Sequence, residues 1–121
     1  MKRLPVKWVR DLAKSHYKKG SECAVCSSTE KLEHHHYSSL SLVFRKWLKL
    51  RGIKIASDDD VKECREGFIN DHWYEVVDDM VTLCKQDHLQ LHKVYGTEPT
   101  LSTVAKQKRW VVRQREKRGL I

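Results

Sequence analysis

Apolar residues recur along this chain mostly at three- and four-residue intervals, the period of a helix with one buried face, and two short stretches break that rhythm. From Val6 to Tyr17 the segment VKWVRDLAKSHY sets Val6, Val9, Leu12 and Ala13 on one stripe, with Pro5 at the start and Gly20 just past the end, so a helix is expected there. Residues 41–51, SLVFRKWLKLR, place Leu42, Val43, Phe44, Trp47, Leu48 and Leu50 in a buried helix closed by Gly52. SDDDVKECREGFINDHW opens a third helix, in which Ser57 and the aspartates Asp58 to Asp60 accept free N–H groups and complement the helix dipole. A metal role for that acidic run is the alternative to capping. KQDHLQLHKVYG predicts a further helix ending at Gly96. TLSTVAKQKRWVVRQREKRGLI predicts a basic amphipathic one, with Leu101, Val104, Val111 and Val112 inward and Trp110 as a packing anchor. The two exceptions are KLEHHHYS, read as a short strand, and YEVVDDMVTLC, read as a β-rich segment that delivers Cys84 at its end. Trp47, Phe68, Trp73 and Tyr74 are expected in the core.

The length of 121 residues suits one domain, and neither an internal repeat nor a Pro/Gly/Ser linker divides it. With 33% charged and 40% apolar residues the core is thin for that length, so a bound metal would be a natural source of extra stability.

The net charge of +8 is unevenly placed. Residues 1–22 carry seven Lys/Arg against two acids, residues 100–121 seven against one, and the middle is slightly acidic. Cationic ends favour a polyanionic partner, nucleic acid before anionic membrane, because no run approaches the roughly 18 apolar residues of a membrane span. The start MKRLPVKWVRDLAK lacks the apolar stretch of a signal peptide, which predicts work in a reducing cytoplasm, where cysteines serve as ligands or core residues before disulfides.

The cysteines are therefore read for metal. Cys23 and Cys26 have the C-x2-C spacing by which one turn grips one zinc ion, and Cys84 begins CKQD, which offers Asp87 at the same spacing as a carboxylate fourth ligand. Cys64 lies in a predicted helix without a ligand neighbour and is read as a core residue. His88 and His92, four apart on a helix, project from one face and can converge on one ion.

Together CAVC, KLEHHHY and DDMVTLCKQDHLQLH resemble the HNH nucleases in order and spacing, leaving out residues 38–75 and the C-terminal helix. The resemblance implies an α+β fold: a small ββα-metal core with a zinc-binding knuckle, embedded in additional helices. The expected organisation is a single nuclease domain over 1–121, with a basic helix in 1–22, knuckle and core in 23–95, a helical insertion at 38–75 and a basic helix in 100–121. By the same resemblance His35, His88 and His92 hold a catalytic divalent ion, Mg2+, Mn2+ or another. His36 is the general base, while Cys23, Cys26, Cys84 and Asp87 hold structural Zn2+. A slip of one residue would instead make His34 the ligand and His35 the base. Asp79 stands where the family has its central Asn, a departure from the name-giving motif, and is expected to fix the loop that orients the base.

The implied activity is metal-dependent hydrolysis of DNA phosphodiester bonds, with Lys106, Lys108, Arg109, Arg113 and Arg115 contacting phosphates and Lys117 and Arg118 also outside. Free-standing HNH proteins of this size occur in phages and bacteria, which implies the cytoplasm of a bacterium or of an infected host. Two other readings use the same residues. If Cys23, Cys26, Cys84 and His88 close one zinc site, the chain is a non-catalytic nucleic-acid-binding module; a partner-binding scaffold would neither cleave nor bind DNA. Neither a monomer nor a homodimer is implied.

Overall fold

The first helix is shorter than its apolar pattern. The computed structural model describes residues 5–18 and 20–119; residues 1–4, 19, 120 and 121 lie outside, and with them Lys2, Arg3 and Lys19 of the basic N-terminal segment. Helix α1 spans Lys7–Ala13, and Lys14–His16 tighten into a 3₁₀ turn. There the Ser15 hydroxyl donates to the Leu12 carbonyl at 2.8 Å, competing for the backbone as a short polar side chain does near a helix end. Tyr17 then leaves in an extended conformation, its N–H still bonded to the Lys14 carbonyl at 3.3 Å.

Strand β1 is Leu32–His36 and strand β2 is Met80–Cys84. They pair antiparallel, Leu32 opposite Cys84 and His36 opposite Met80. Between them lie helix α2, Leu40–Arg51, and helix α3, Asp58–Asp71. Gly52 ends α2 in the left-handed conformation at φ 66°, and Leu50 faces outward at 78% exposure, against its expected burial. A reciprocal capping box between Ser57 and Asp60 opens α3, so Asp60 serves the helix end.

The expected β-rich stretch begins as a helix. Tyr74–Asp78 form a π turn closed by the Asp79 N–H donating to the Tyr74 carbonyl at 2.7 Å. Val76 and Val77 are both buried there, so packing overrides the strand preference of β-branched residues. Extended structure starts only at Met80. Helix α4, Lys85–Tyr95, follows β2 without a linker, and after a 3₁₀ turn at Leu101–Thr103 comes helix α5, Val104–Lys117.

The mixed α+β architecture has two apolar clusters. In one, Val9, Phe44, Trp47, Val61, Phe68 and Val76 bring α1, α2, α3 and the π turn together, with the Phe44 and Phe68 rings 4.8 Å apart. The other joins Val25, Tyr37, Leu83, Leu91 and Val111, so the sheet packs against α4 and α5. Trp73 and Tyr74 are exposed, because the π turn aims its valines inward. Val112 is exposed as well, since one residue along a helix is a rotation of about 100° and the inner face of α5 belongs to Gln107 and Val111. Gly20 approaches β2 so closely that a Cβ there would stand 2.7 Å from Thr82 Oγ1. Among the described residues no helix is long and apolar enough to cross a membrane.

Candidate active site and metal centres

The corner where β2 becomes α4 carries donors on two sides. Adjacent residues on a helix diverge by about 100°, so Asp87 and His88 face different clusters. Asp87 joins Cys23, Cys26 and Cys84; His88 joins His35 and His92. His88 thus stands apart from the sulfurs.

In the first group Cys26 Sγ and Cys84 Sγ are 3.8 Å apart, and the thiols of Cys23 and Cys84 donate to Asp87 Oδ2 at 3.3 and 3.1 Å. Two sulfurs held at about 2.3 Å in a tetrahedron would stand about 3.8 Å apart, so the donor set fits a single ion. The turn is built for sulfur: the N–H groups of Val25 and Asp87 point at Cys23 Sγ and Cys84 Sγ, and Ser27 adopts φ 62° to close the loop. Burial pushes the Cys84 thiol up to about 12 and raises Cys26. For Asp87 burial works the same way, yet hydrogen bonds from the three thiols and the Arg118 guanidinium outweigh it and hold the carboxyl below its usual range. Arg118 Nη2 donates to Asp87 Oδ1 at 3.2 Å, and Arg115 Nη1 to the Ala24 carbonyl at 2.9 Å, so α5 clasps the cysteine turn.

In the second group His35 Nδ1 lies 3.2 Å and His92 Nε2 3.0 Å from His88 Nε2. Imidazole nitrogens bound at about 2.1 Å at near-right angles are separated by about 3 Å, so these three also fit one ion. The outer nitrogen of each ring is engaged. His88 Nδ1 meets Glu33 Oε1 at 2.8 Å, His92 Nδ1 the Gly96 carbonyl at 2.8 Å, and His35 Nε2 meets Gln107 Oε1 at 2.7 Å. His35 is buried, and burial lowers its proton affinity to about 4.

Strand alternation sends His36 and His34 to the face opposite His35, where both rings pack against Tyr17 at 5.2 Å. His36 Nε2 lies 2.8 Å from the Val76 carbonyl and 2.9 Å from the Tyr17 hydroxyl. Burial lowers the proton affinity of His36, and the nearby Arg10 charge acts in the same direction. His35, His36, His88, His92 and Arg10 line one cleft of about 230 Å³. A larger groove of about 500 Å³ beside α1 shares Arg10 but none of the histidines. Asp79 Oδ1 bonds Lys108 Nζ at 2.8 Å, while the bond to His36 comes from Val76.

Lys106, Arg109 and Arg113 are exposed on α5. Lys108 and Arg115 are half-buried and turn inward, to Asp79 and Ala24. Sequence reasoning passed over Tyr17, Glu33, Gln107 and Arg10. The alternation of β1 already places Glu33 and His35 on one face, but nothing local marks Gln107, Tyr17 or Arg10.

These features define a small α+β protein with two candidate metal centres and a histidine-lined cleft. The family model for the Nicking endonuclease family, which carries the phage T5 name, matches residues 1–119, and the chain belongs to that family. Membership supports DNA endonuclease activity on a DNA substrate. No solved structure matches the chain.

Proposed function

We propose that residues 1–121 form one HNH-type nuclease unit that nicks DNA by metal-dependent hydrolysis, with His36 as general base. The observation that carries this reading is the inward-facing pair of nitrogens in the cleft that His36 also lines. Glu33 and the Gly96 carbonyl can only accept, so His88 and His92 donate from Nδ1 and keep a lone pair on Nε2. Those two nitrogens stand 3.0 Å apart and share one space with His35 Nδ1, an arrangement that a cation relieves.

A divalent ion such as Mg2+ or Mn2+, held by His35, His88 and His92, would neutralise charge on the phosphate and the departing 3′-oxygen. His36 does the proton work. Its Nε2–H is committed to the Val76 carbonyl, leaving Nδ1 as the base. That nitrogen removes a proton from water as the water oxygen bonds phosphorus; the opposite P–O3′ bond breaks and the 3′-oxygen leaves with a proton from solvent. Asp79 caps the turn that presents Val76, and its carboxylate anchors α5 through Lys108.

Cys23, Cys26, Cys84 and Asp87 are proposed to hold structural Zn2+, tying the loop before β1 to the start of α4. Lys106, Arg109 and Arg113 supply phosphate contacts that are salt-dependent and indifferent to sequence, while Lys108 and Arg115 hold α5 to Asp79 and Ala24. One site per chain cuts one strand per encounter, in accord with the family's name. The bacterial or phage-infected cytoplasm is the proposed setting.

The test is supercoiled-plasmid cleavage with Mg2+ or Mn2+, native chain against His36→Ala, with zinc measured by elemental analysis. Open-circular product from the native chain alone supports the reading. Cleavage that survives His36→Ala and dies with His35→Ala moves the base to His35. No cleavage with any metal, while DNA and zinc stay bound, makes the chain a binding module.

A further inference from the structure

Gln107 is fully buried and comes from α5, far along the chain from the residues of the metal cluster, and both its N–H groups and its carbonyl are engaged. Its Nε2 donates to the Tyr37 carbonyl at 3.1 Å and to Thr103 Oγ1 at 3.0 Å, and its Oε1 faces His35 Nε2 at 2.7 Å. The Thr103 hydroxyl spends its own proton on the Thr100 carbonyl at 2.6 Å, so its oxygen is left as an acceptor. Two acceptors on one side fix the amide's orientation: the NH₂ must face Tyr37 and Thr103, and the carbonyl must face His35. A carbonyl cannot donate. The proton of a neutral His35 is therefore on Nε2, and the lone pair is on Nδ1, the atom that points at His88 Nε2 3.2 Å away.

We propose that Gln107 is a positioning residue that decides which nitrogen of His35 faces the metal, and that through it α5 is built into the metal centre. The inference rests on the proposed His35, His88 and His92 ion site. Glu33 and the Gly96 carbonyl orient His88 and His92 through Nδ1, so His35 alone of the three presents Nδ1, and Gln107 enforces that inversion. A Gln107 without its carbonyl would let the His35 proton move to Nδ1 and block the ligand position.

The experiment is a long-range ¹H–¹⁵N correlation on full-length, histidine-¹⁵N-labelled protein freed of the catalytic ion, native against Gln107→Met and Thr103→Val, with Mn2+ affinity measured by calorimetry on the same samples. The native chain is expected to show His35 with protonated Nε2 and bare Nδ1. In Gln107→Met that preference is lost and Mn2+ affinity drops about 10- to 100-fold, the usual effect of removing a ligand's hydrogen-bond partner, while zinc content stays unchanged. Thr103→Val, which keeps the carbonyl but frees one side of the amide, gives a smaller change in the same direction. A native His35 protonated on Nδ1 overturns the proposal, and this reading stands even if Gln107→Met fails to fold. Unchanged tautomer and Mn2+ affinity in a folded Gln107→Met also overturn it. A Gln107-dependent tautomer and Mn2+ affinity in a chain that never cleaves DNA would sink the nuclease reading and leave this one intact.

Discussion

His36 Nε2 lies 2.8 Å from the Val76 carbonyl oxygen, a bond that ties the strand carrying the histidines to the π turn just before its partner strand. Because a carbonyl only accepts, the bond assigns the proton of neutral His36 to Nε2 and leaves Nδ1 for chemistry. Removing the proposed base should be costly in rate and harmless to the metals. His36→Ala is expected to lower kcat by about 10²- to 10⁴-fold, the range of positioned general bases. Zinc content and Mn2+ affinity should match the native chain; a parallel loss of Mn2+ would show His36 to be a ligand instead.

The pH profile follows from the environment of His36 and His35. Burial lowers the proton affinity of His36, so its neutral form, the active one in the proposed mechanism, persists below the ordinary histidine value near 6.5, and kcat/KM should decline on the acid side only below that value. An acid limb centred at pH 7 or above would contradict this. Metal-free His35 gives a stability window of defined sign. Its folded value of about 4 lies below the unfolded 6.5, so the unfolded chain binds more protons between them. Stability is full above pH 6.5 and falls by roughly 3 kcal/mol as pH drops toward 4. Denaturant titrations of chelated protein at pH 7 and pH 4.5 would measure it.

Asp87 is the unusual member of the sulfur cluster, and its replacement separates ligation from packing. Asp87→Ala should abolish stoichiometric zinc and lower Tm by well over 10 °C, since structural zinc contributes several kcal/mol and each is worth about 4 °C in a chain of this size. Asp87→Cys should keep one zinc per chain. Equal zinc in native and Asp87→Ala protein, by elemental analysis, would remove Asp87 from the ligand set.

Phe68 is fully buried against Phe44 and Trp47, in the cluster that contains neither metal group. Phe68→Ala should cost about 3–5 kcal/mol by leaving a cavity. Zinc content of the folded fraction should not change, because Cys23, Cys26 and Cys84 pack in the other cluster. Urea titration and elemental analysis together would check both halves.

The basic side chains of α5 should divide into two kinds. Arg113 is exposed, so Arg113→Ala should weaken DNA binding evenly across sequences and reduce the slope of log K against log salt by about 0.9. Arg115 donates to the Ala24 carbonyl, so Arg115→Ala should show itself first as a lower Tm or faster zinc loss. Filter binding at several salt concentrations, read beside a thermal melt, distinguishes the two.

Much of this site is written at short range. C-x2-C and His88-x3-His92 bring donors together within a single turn or helix face, and Ser57 with Asp60 caps α3 by local hydrogen bonds, so spacing alone implies each. The limits of local pattern are equally plain. The valines of the segment before β2 read as strand, yet the core draws them into a π turn, because burial of Val76 and Val77 outweighs an intrinsic preference that spans only about 1 kcal/mol. Likewise α5 reads as a simple amphipathic helix, although its inner face carries a glutamine.

By itself the sequence determined the donor types, their local spacing, the helix caps and the cationic ends. Only the tertiary structure decided that Gln107 meets a histidine 72 residues away, that Val76 orients His36, and that Lys108 and Arg115 turn inward while Arg113 does not. Hydrogen bonds of this kind act over about 3 Å between groups that share no periodicity, so they exist only once the two apolar clusters have folded and fixed the elements in place.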